Sequence, residues 1–203
     1  MNPSIRPASP PPLLSAAGFK KFTPTQYHAL IHSGIIQEGE PVELLEGYLV
    51  EKGMRNPPHD GSVTRLTNRL PRRLPAGWVT RIQCAISLGE SEPEPDGAVV
   101  RGDDTSYDAR LPVAADFGIV IEVSDSTLAF DRRDKGRIYA RAGIPVYWIV
   151  NVADRQIEVY TDPDTAANPP EYRTRTDYRP GDAVPITLDG NAAGTIAVSD
   201  LLP

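Results

Sequence analysis

The seven residues from Phe117 to Val123 hold one charged side chain, Glu122, among apolar residues and a glycine. A β-strand turns alternate residues to opposite faces, so a strand that is apolar on both needs cover on both. The run therefore predicts a central strand, with other layers packed above and below it. A chain of 203 residues has room for about one such domain, at roughly 100–200 residues each.

The flanking sequence supplies those layers. Met1 to about Gly18 carries five prolines, at 3, 7, 10, 11 and 12, and reads as a flexible lead-in, with a single domain over 19–203. Thr23-Pro24 opens a helix that ends at Gly34. Val42–Leu45 and Tyr48–Lys52 flank Glu46-Gly47 as a hairpin. Asp60–Leu70 is helical in pattern, with Val63, Leu66 and Leu70 on one face, Arg65 and Arg69 turned away, and Pro71 at its end. Trp78–Leu88 and Pro95–Arg101 read as strands. Thr127–Ala142 is the main helix, stopped by Gly143 and Pro145. Val146–Asn151 and Gln156–Tyr160 form a strand pair around Ala153-Asp154. Pro163–Pro170 reads as a loop, and short strands follow up to Leu201-Leu202. The pattern is α+β: a mixed sheet with helices packed on it.

Composition narrows the class without naming a function. No apolar run approaches the ~20 residues that cross a bilayer, and Pro10–Pro12 interrupt any secretory core. The single Cys84 makes neither an internal disulfide nor a thiolate metal site, so a cytoplasmic setting is expected. A net charge of −6 argues against coating nucleic acid by bulk attraction, yet leaves room for a locally basic groove.

The chemistry is concentrated where pattern and burial conflict. Projected at about 100° per residue, Leu128, Ile138, Tyr139 and Ala142 share the sheet-facing arc of the main helix. Lys135 falls in the middle of that arc and Asp131 at its margin, while Arg133, Arg137 and Arg141 lie opposite. A lysine aimed into an apolar interface needs a compensating anion. Glu122, near the end of the preceding strand, is its natural partner. One reading is a structural ion pair, Glu122–Lys135 or Asp131–Lys135. The other adds Asp96, at the start of its own strand. Asp96 and Glu122 together are hard oxygen ligands suited to Mg²⁺, with the ammonium of Lys135 beside them to orient or help deprotonate a water and to stabilise phosphoryl charge.

An ordered set of residues then carries a family likeness: Glu43-Leu44-Leu45-Glu46-Gly47, Pro58-His59, Pro95-Asp96, Ile121-Glu122-Val123-Ser124, Asp131-Arg132 with Lys135 and Tyr139, and Ala142-Gly143-Ile144-Pro145-Val146-Tyr147-Trp148-Ile149-Val150. Over about residues 20–203 the chain resembles the Uma family, restriction-endonuclease-like proteins within the PD-(D/E)XK nuclease superfamily. The resemblance implies a restriction-endonuclease-like mixed sheet flanked by helices, and Mg²⁺- or Mn²⁺-dependent cleavage of a nucleic-acid phosphodiester, with DNA as the favoured substrate. By position, Asp96 and Glu122 would be the metal carboxylates and Lys135 the catalytic lysine, moved from the strand onto the following helix. Ser124 stands where that lysine is usual, and Glu46-Gly47 and Ser124-Asp125 replace the family's frequent Asp-Gly and Ser-Pro.

The same likeness brings in Glu43 as an acid near the metal and His59 as a group that orients phosphate or water. Their plainer readings are a hairpin-edge charge and a turn residue. Asp131 either positions Lys135 or caps its helix. The likeness also implies a homodimer that addresses two strands. A different class of function, a catalytically inactive module that binds nucleic acid or protein on the same fold, remains the alternative. His28 and His32 share zinc-ligand spacing without a third ligand. The arginines at 65, 69, 72 and 73 read as a solvated face or as phosphate contacts, Trp148 and Tyr147 as packing residues, and Cys84 as a small buried hydrophobe within a strand.

Overall fold

The computed structural model describes residues 18–37 and 39–203. The expected proline-rich lead-in, apart from Gly18, lies outside them. Six strands form one mixed sheet in the order β3-β4-β5-β6-β7-β8: β3 (Trp78–Arg81), β4 (Gly97–Arg101), β5 (Phe117–Ser124), β6 (Val146–Asn151), β7 (Gln156–Asp164) and β8 (Glu171–Tyr178). Only β5 and β6 pair in parallel. That junction needs a crossover, and a helical rod provides it: α3 (Leu128–Phe130), a π-helical segment (Asp131–Lys135) and α4 (Gly136–Arg141). Among the described residues two antiparallel hairpins lie outside this sheet, β1 (Val42–Leu45) with β2 (Tyr48–Glu51), and β9 (Ala183–Leu188) with β10 (Asn191–Ala197). Two longer helices are α1 (Pro24–His32) and α2 (Pro57–Arg69). No described helix is long and apolar enough to cross a membrane.

β5 is buried along its whole length, as its composition predicts. Its alternation divides the core. Ile119, Ile121 and Val123 join Leu66, Leu70, Trp148, Ile186 and Leu201 on the side of α2 and the β9–β10 hairpin. Val120 joins Ile138, Tyr139, Tyr147 and Ile149 on the side of α4. Leu66 is fully buried, and cutting it to alanine would cost about 2–5 kcal/mol. The contact it makes is close: a Cβ added at Gly97 would lie 2.5 Å from Leu66 Cδ2, so α2 rests directly on the first residue of β4.

Several boundaries differ from expectation for physical reasons. The strand expected over Trp78–Leu88 ends at Arg81, because Gln83 takes a positive φ of 51° and the chain turns. Its partner begins at Gly97 rather than Pro95, since Pro93 and Pro95 have no amide proton for a ladder. Asp96 therefore sits just before β4. Cys84 consequently lies outside a strand and is only half-buried. α2 starts three residues early, at Pro57, because the Asn56 side chain caps it by accepting from the His59 amide at 3.1 Å. Part of the loop expected at Pro163–Pro170 is strand, with Pro163 opposite Tyr172.

Candidate functional site

The alternation of β5 that buries Ile121 and Val123 beneath α2 turns Glu122 to the opposite face, toward the α3–π–α4 rod. On that rod the π segment carries Asp131 and Lys135 inward, each 5% exposed. The wide turn has a visible cause. The Gly136 amide donates to the Asp131 carbonyl, and the Tyr147 hydroxyl of β6 donates to the same oxygen at 3.1 Å. A side-chain donor entering the helical ladder in this way loosens it locally.

Lys135 Nζ donates to Glu122 Oε1 at 3.1 Å and to Glu43 Oε2 at 2.9 Å. Glu43 comes from β1, and its Oε2 also accepts from the Glu94 amide at 3.0 Å. Tyr139, one turn beyond Lys135, donates its hydroxyl to Glu122 Oε1 at 2.6 Å. Asp96 stands on the other side of Glu122. Its Oδ2 accepts from the Val123 amide at 2.8 Å and lies 3.2 Å from His59 Nε2, while Gln83 Nε2 donates to Oδ1 at 3.2 Å. Asp131 accepts from the Thr127 hydroxyl at 2.5 Å. Glu43, His59, Asp96, Glu122, Asp131 and Lys135 thus line one cleft of about 550 Å³.

The electrostatics within it are uneven. Burial, reinforced by Asp96, Asp131 and Glu43 against the pull of Lys135, pushes Glu122 up to about 8. Burial works to lower Lys135, but the charges of Glu122 and Glu43 outweigh it and hold the ammonium above its ordinary range. Burial also opposes ionisation of Asp96, yet His59, the Val123 amide and Gln83 bring it below the usual carboxylate value. The hydrogen bond to Asp96 raises His59 in return. Burial raises Asp131. Four carboxylates share one ammonium and one imidazole, and Glu122 is the member left short of positive charge.

The model of the Uma2 family, described as "Putative restriction endonuclease", matches residues 24–193. The chain belongs to the Uma2 family. Among solved structures it is similar to a "putative nuclease belonging to DUF820" from Anabaena variabilis. The two are 14% identical and superpose with a TM-score of 0.61, over 89% of this chain and 97% of the other. At that identity the likeness shows the fold, a mixed sheet flanked by helices. No curated protein matches.

The donor set of this Uma2 chain suits a hard divalent cation. Asp96 and Glu122 offer carboxylate oxygens, no thiolate lines the cleft, and the charge deficit at Glu122 is one that a cation would relieve. Among the described residues no three His, Cys, Asp or Glu side chains form a cage. Mg²⁺ commonly takes one or two carboxylates and keeps several waters, so a pair of acids is a sufficient protein share.

All six residues that the sequence singles out reach the cleft, but two differ in detail. Asp131 does not cap a helix, since α3 precedes it, and its side chain bonds to Thr127 rather than to Lys135. His59 lies within the first turn of α2 rather than ahead of it. Ser124 is fully buried, 3.4 Å from the Thr127 hydroxyl. Tyr139 does more than pack against the sheet, and its place four residues after Lys135 is the signal that puts both on one face. Gln83 has no such signal, because its position depends on the turn that ends β3. Elsewhere, His28 pairs with Glu92 at 2.6 Å, and Arg69 and Arg73 pair with Asp200. Trp148 is fully buried.

Proposed function

We propose that this chain is a divalent-metal-dependent nuclease that hydrolyses phosphodiester bonds, with DNA as substrate and Mg²⁺ or Mn²⁺ as cofactor. The observation that carries the reading is the convergence of Asp96, Glu122 and Lys135, from a pre-strand loop, a central strand and a helix, on one open cleft. Membership in the Uma2 family supports it.

In this reading Asp96 and Glu122 hold the cation. When bound, that cation supplies Lewis-acid stabilisation of charge on the phosphoryl oxygens. Lys135, kept protonated by its two carboxylates, donates rather than accepts a proton, and holds a water or a phosphate oxygen in place. Glu43 fixes the ammonium as its second carboxylate partner. Tyr139 orients Glu122, and His59 with Gln83 orients Asp96. A cytoplasmic homodimer presenting one such cleft to each strand fits a duplex substrate.

The test is cleavage of supercoiled plasmid and of short single-stranded DNA in Mg²⁺, Mn²⁺ and EDTA, by wild type and by Asp96→Ala and Lys135→Ala. Metal-dependent cleavage abolished in both variants is expected. Cleavage unchanged in both variants overturns the assignment of the site. Calorimetric metal binding that is lost in Asp96→Ala, without cleavage by wild type, favours an inactive binding module instead.

A further inference from the structure

The stretch from Lys52 to Asn56, between β2 and α2, forms one wall of the cleft. It is held at both ends. The Lys52 amide donates to the Pro41 carbonyl at 2.7 Å, and its ammonium pairs with Glu94. Asn56 donates to Asp125 at 2.5 Å while its oxygen caps α2. Between these anchors Gly53 passes so close to the start of the rod that an added Cβ would meet the Thr127 methyl at 2.8 Å. The chain is therefore drawn across the cleft mouth as a strap, and what it displays there is Met54-Arg55.

Both side chains are exposed and unengaged. Met54 is 93% exposed, more than any other large hydrophobic among the described residues. A lone exposed apolar side chain on a surface is ordinary; this one stands at the rim of the cleft that holds the acidic cluster, with a cation next to it. Arg55 has no ion pair and no side-chain hydrogen bond among the described residues. The other cations that line the cleft are committed, Lys135 to Glu43 and Glu122, Lys52 to Glu94, and His59 to Asp96. Yet a nucleic acid entering a cleft lined by seven carboxylates must find, beyond the metal and Lys135 at the scissile phosphate, a cation for the phosphate beside it. Elimination leaves Arg55.

We propose that the Met54-Arg55 strap is a nucleic-acid clamp at the cleft mouth, in which Arg55 takes a backbone phosphate beside the scissile one and Met54 wedges against the adjoining base. The proposal rests on the nuclease reading and adds to it the residues that seat the substrate. A guanidinium grips phosphate oxygens through a planar fork, which a lysine does not reproduce. Apolar side chains, methionine among them, serve elsewhere as wedges that unstack a base step.

The experiment measures binding of fluorescein-labelled DNA by anisotropy in Ca²⁺ over a salt series, and steady-state cleavage in Mg²⁺, for wild type, Arg55→Ala, Arg55→Lys and Met54→Ala. Arg55→Ala is expected to weaken binding about tenfold, to make the negative slope of log affinity against log salt shallower by about one, and to raise KM with kcat little changed. Arg55→Lys should restore the slope but only part of the affinity. Met54→Ala should leave the slope alone and abolish the brightening of a 2-aminopurine placed next to the cut. Thermal melts of all three are expected to match wild type, since neither side chain is buried. If wild type cuts DNA and Arg55→Ala keeps its affinity, slope and KM, the clamp is overturned while the nuclease stands. If wild type neither binds nor cuts DNA, both fall.

Discussion

Two glutamates project from the same face of the sheet, one strand apart from a shared neighbour. Glu122 of β5 lies opposite Ile149 of β6, and Ile149 lies opposite Glu158 of β7. Both are buried, at 6% and 0% exposure. Their electrostatics nevertheless point in opposite directions. Burial would raise Glu158 too, but Arg132 grips it through two guanidinium nitrogens, and Asn151, Tyr160 and Gln156 donate to it, which brings it down to about 2. Arg175 adds a second guanidinium at 3.3 Å. Glu122 has one ammonium, which it shares with Glu43, and three neighbouring carboxylates, and it rises to about 8. The first is a completed structural pair. The second is an arrangement left short of positive charge, the shortfall that the proposed function fills with a cation. Burial alone does not distinguish them; the ratio of positive to negative groups does.

The largest expected effect breaks the pair apart by function. Glu122→Gln should lower metal-dependent cleavage by at least about 100-fold, a loss of the size seen when a charge-stabilising group is removed. Its Tm at pH 7 in EDTA should match wild type, because a carboxyl pushed up to about 8 is mostly protonated there and the amide is its neutral isostere. Cleavage within a few-fold of wild type would show that Glu122 is as structural as Glu158. Acid unfolding sharpens the contrast next. A folded value near 2 against an ordinary 4.5 means that Glu158 stabilises the fold above pH 4.5 and loses that contribution as pH falls toward 2. At 1.36 kcal/mol per unit this amounts to about 3 kcal/mol. Denaturant titrations from pH 5 to pH 2 should show that limb in wild type and a shallower one in Glu158→Gln. A raised folded value has the opposite sign, so ionisation of Glu122 erodes the stability of the metal-free protein as pH climbs from 4.5 toward 8. At neutral pH, Glu158→Gln itself should cost about 2 kcal/mol by chemical denaturation, with cleavage per folded molecule preserved. The smallest expected effect is at Tyr139→Phe. Removing the 2.6 Å hydrogen bond to Glu122 should weaken Mn²⁺ binding about tenfold by calorimetry, while the melt changes little.

Much of the site is legible in the amino-acid sequence. The continuous apolar run of β5 discloses its central place, and the one acid within it stands out for that reason. A lysine on the apolar arc of the next helix points to the same interface. That projection assumes a regular α-helix, whereas the rod is π-helical from Asp131 to Lys135. It reaches the right face because both side chains still turn inward. The widening itself is invisible in the local sequence, since its donor, Tyr147, lies on another strand. Glu158 is hidden for a related reason. Its partner Arg132 is 26 residues away, and the strand that bears it alternates in the ordinary manner, so nothing in the sequence marks it as buried. Gln83 is concealed by a turn whose positive φ no residue type announces. Local periodicity thus reveals which face each residue occupies, but not which distant donor meets it.

The seating of Leu66 on Gly97 carries a mechanical implication. The residue after Asp96 is the point on which α2 bears, and α2 brings His59 to that same aspartate. Adding one methyl group at position 97 would jack the helix outward, and the imidazole would travel with it. The first casualty would be the tuning of the acid next door, felt in its proton affinity well before any strand came loose.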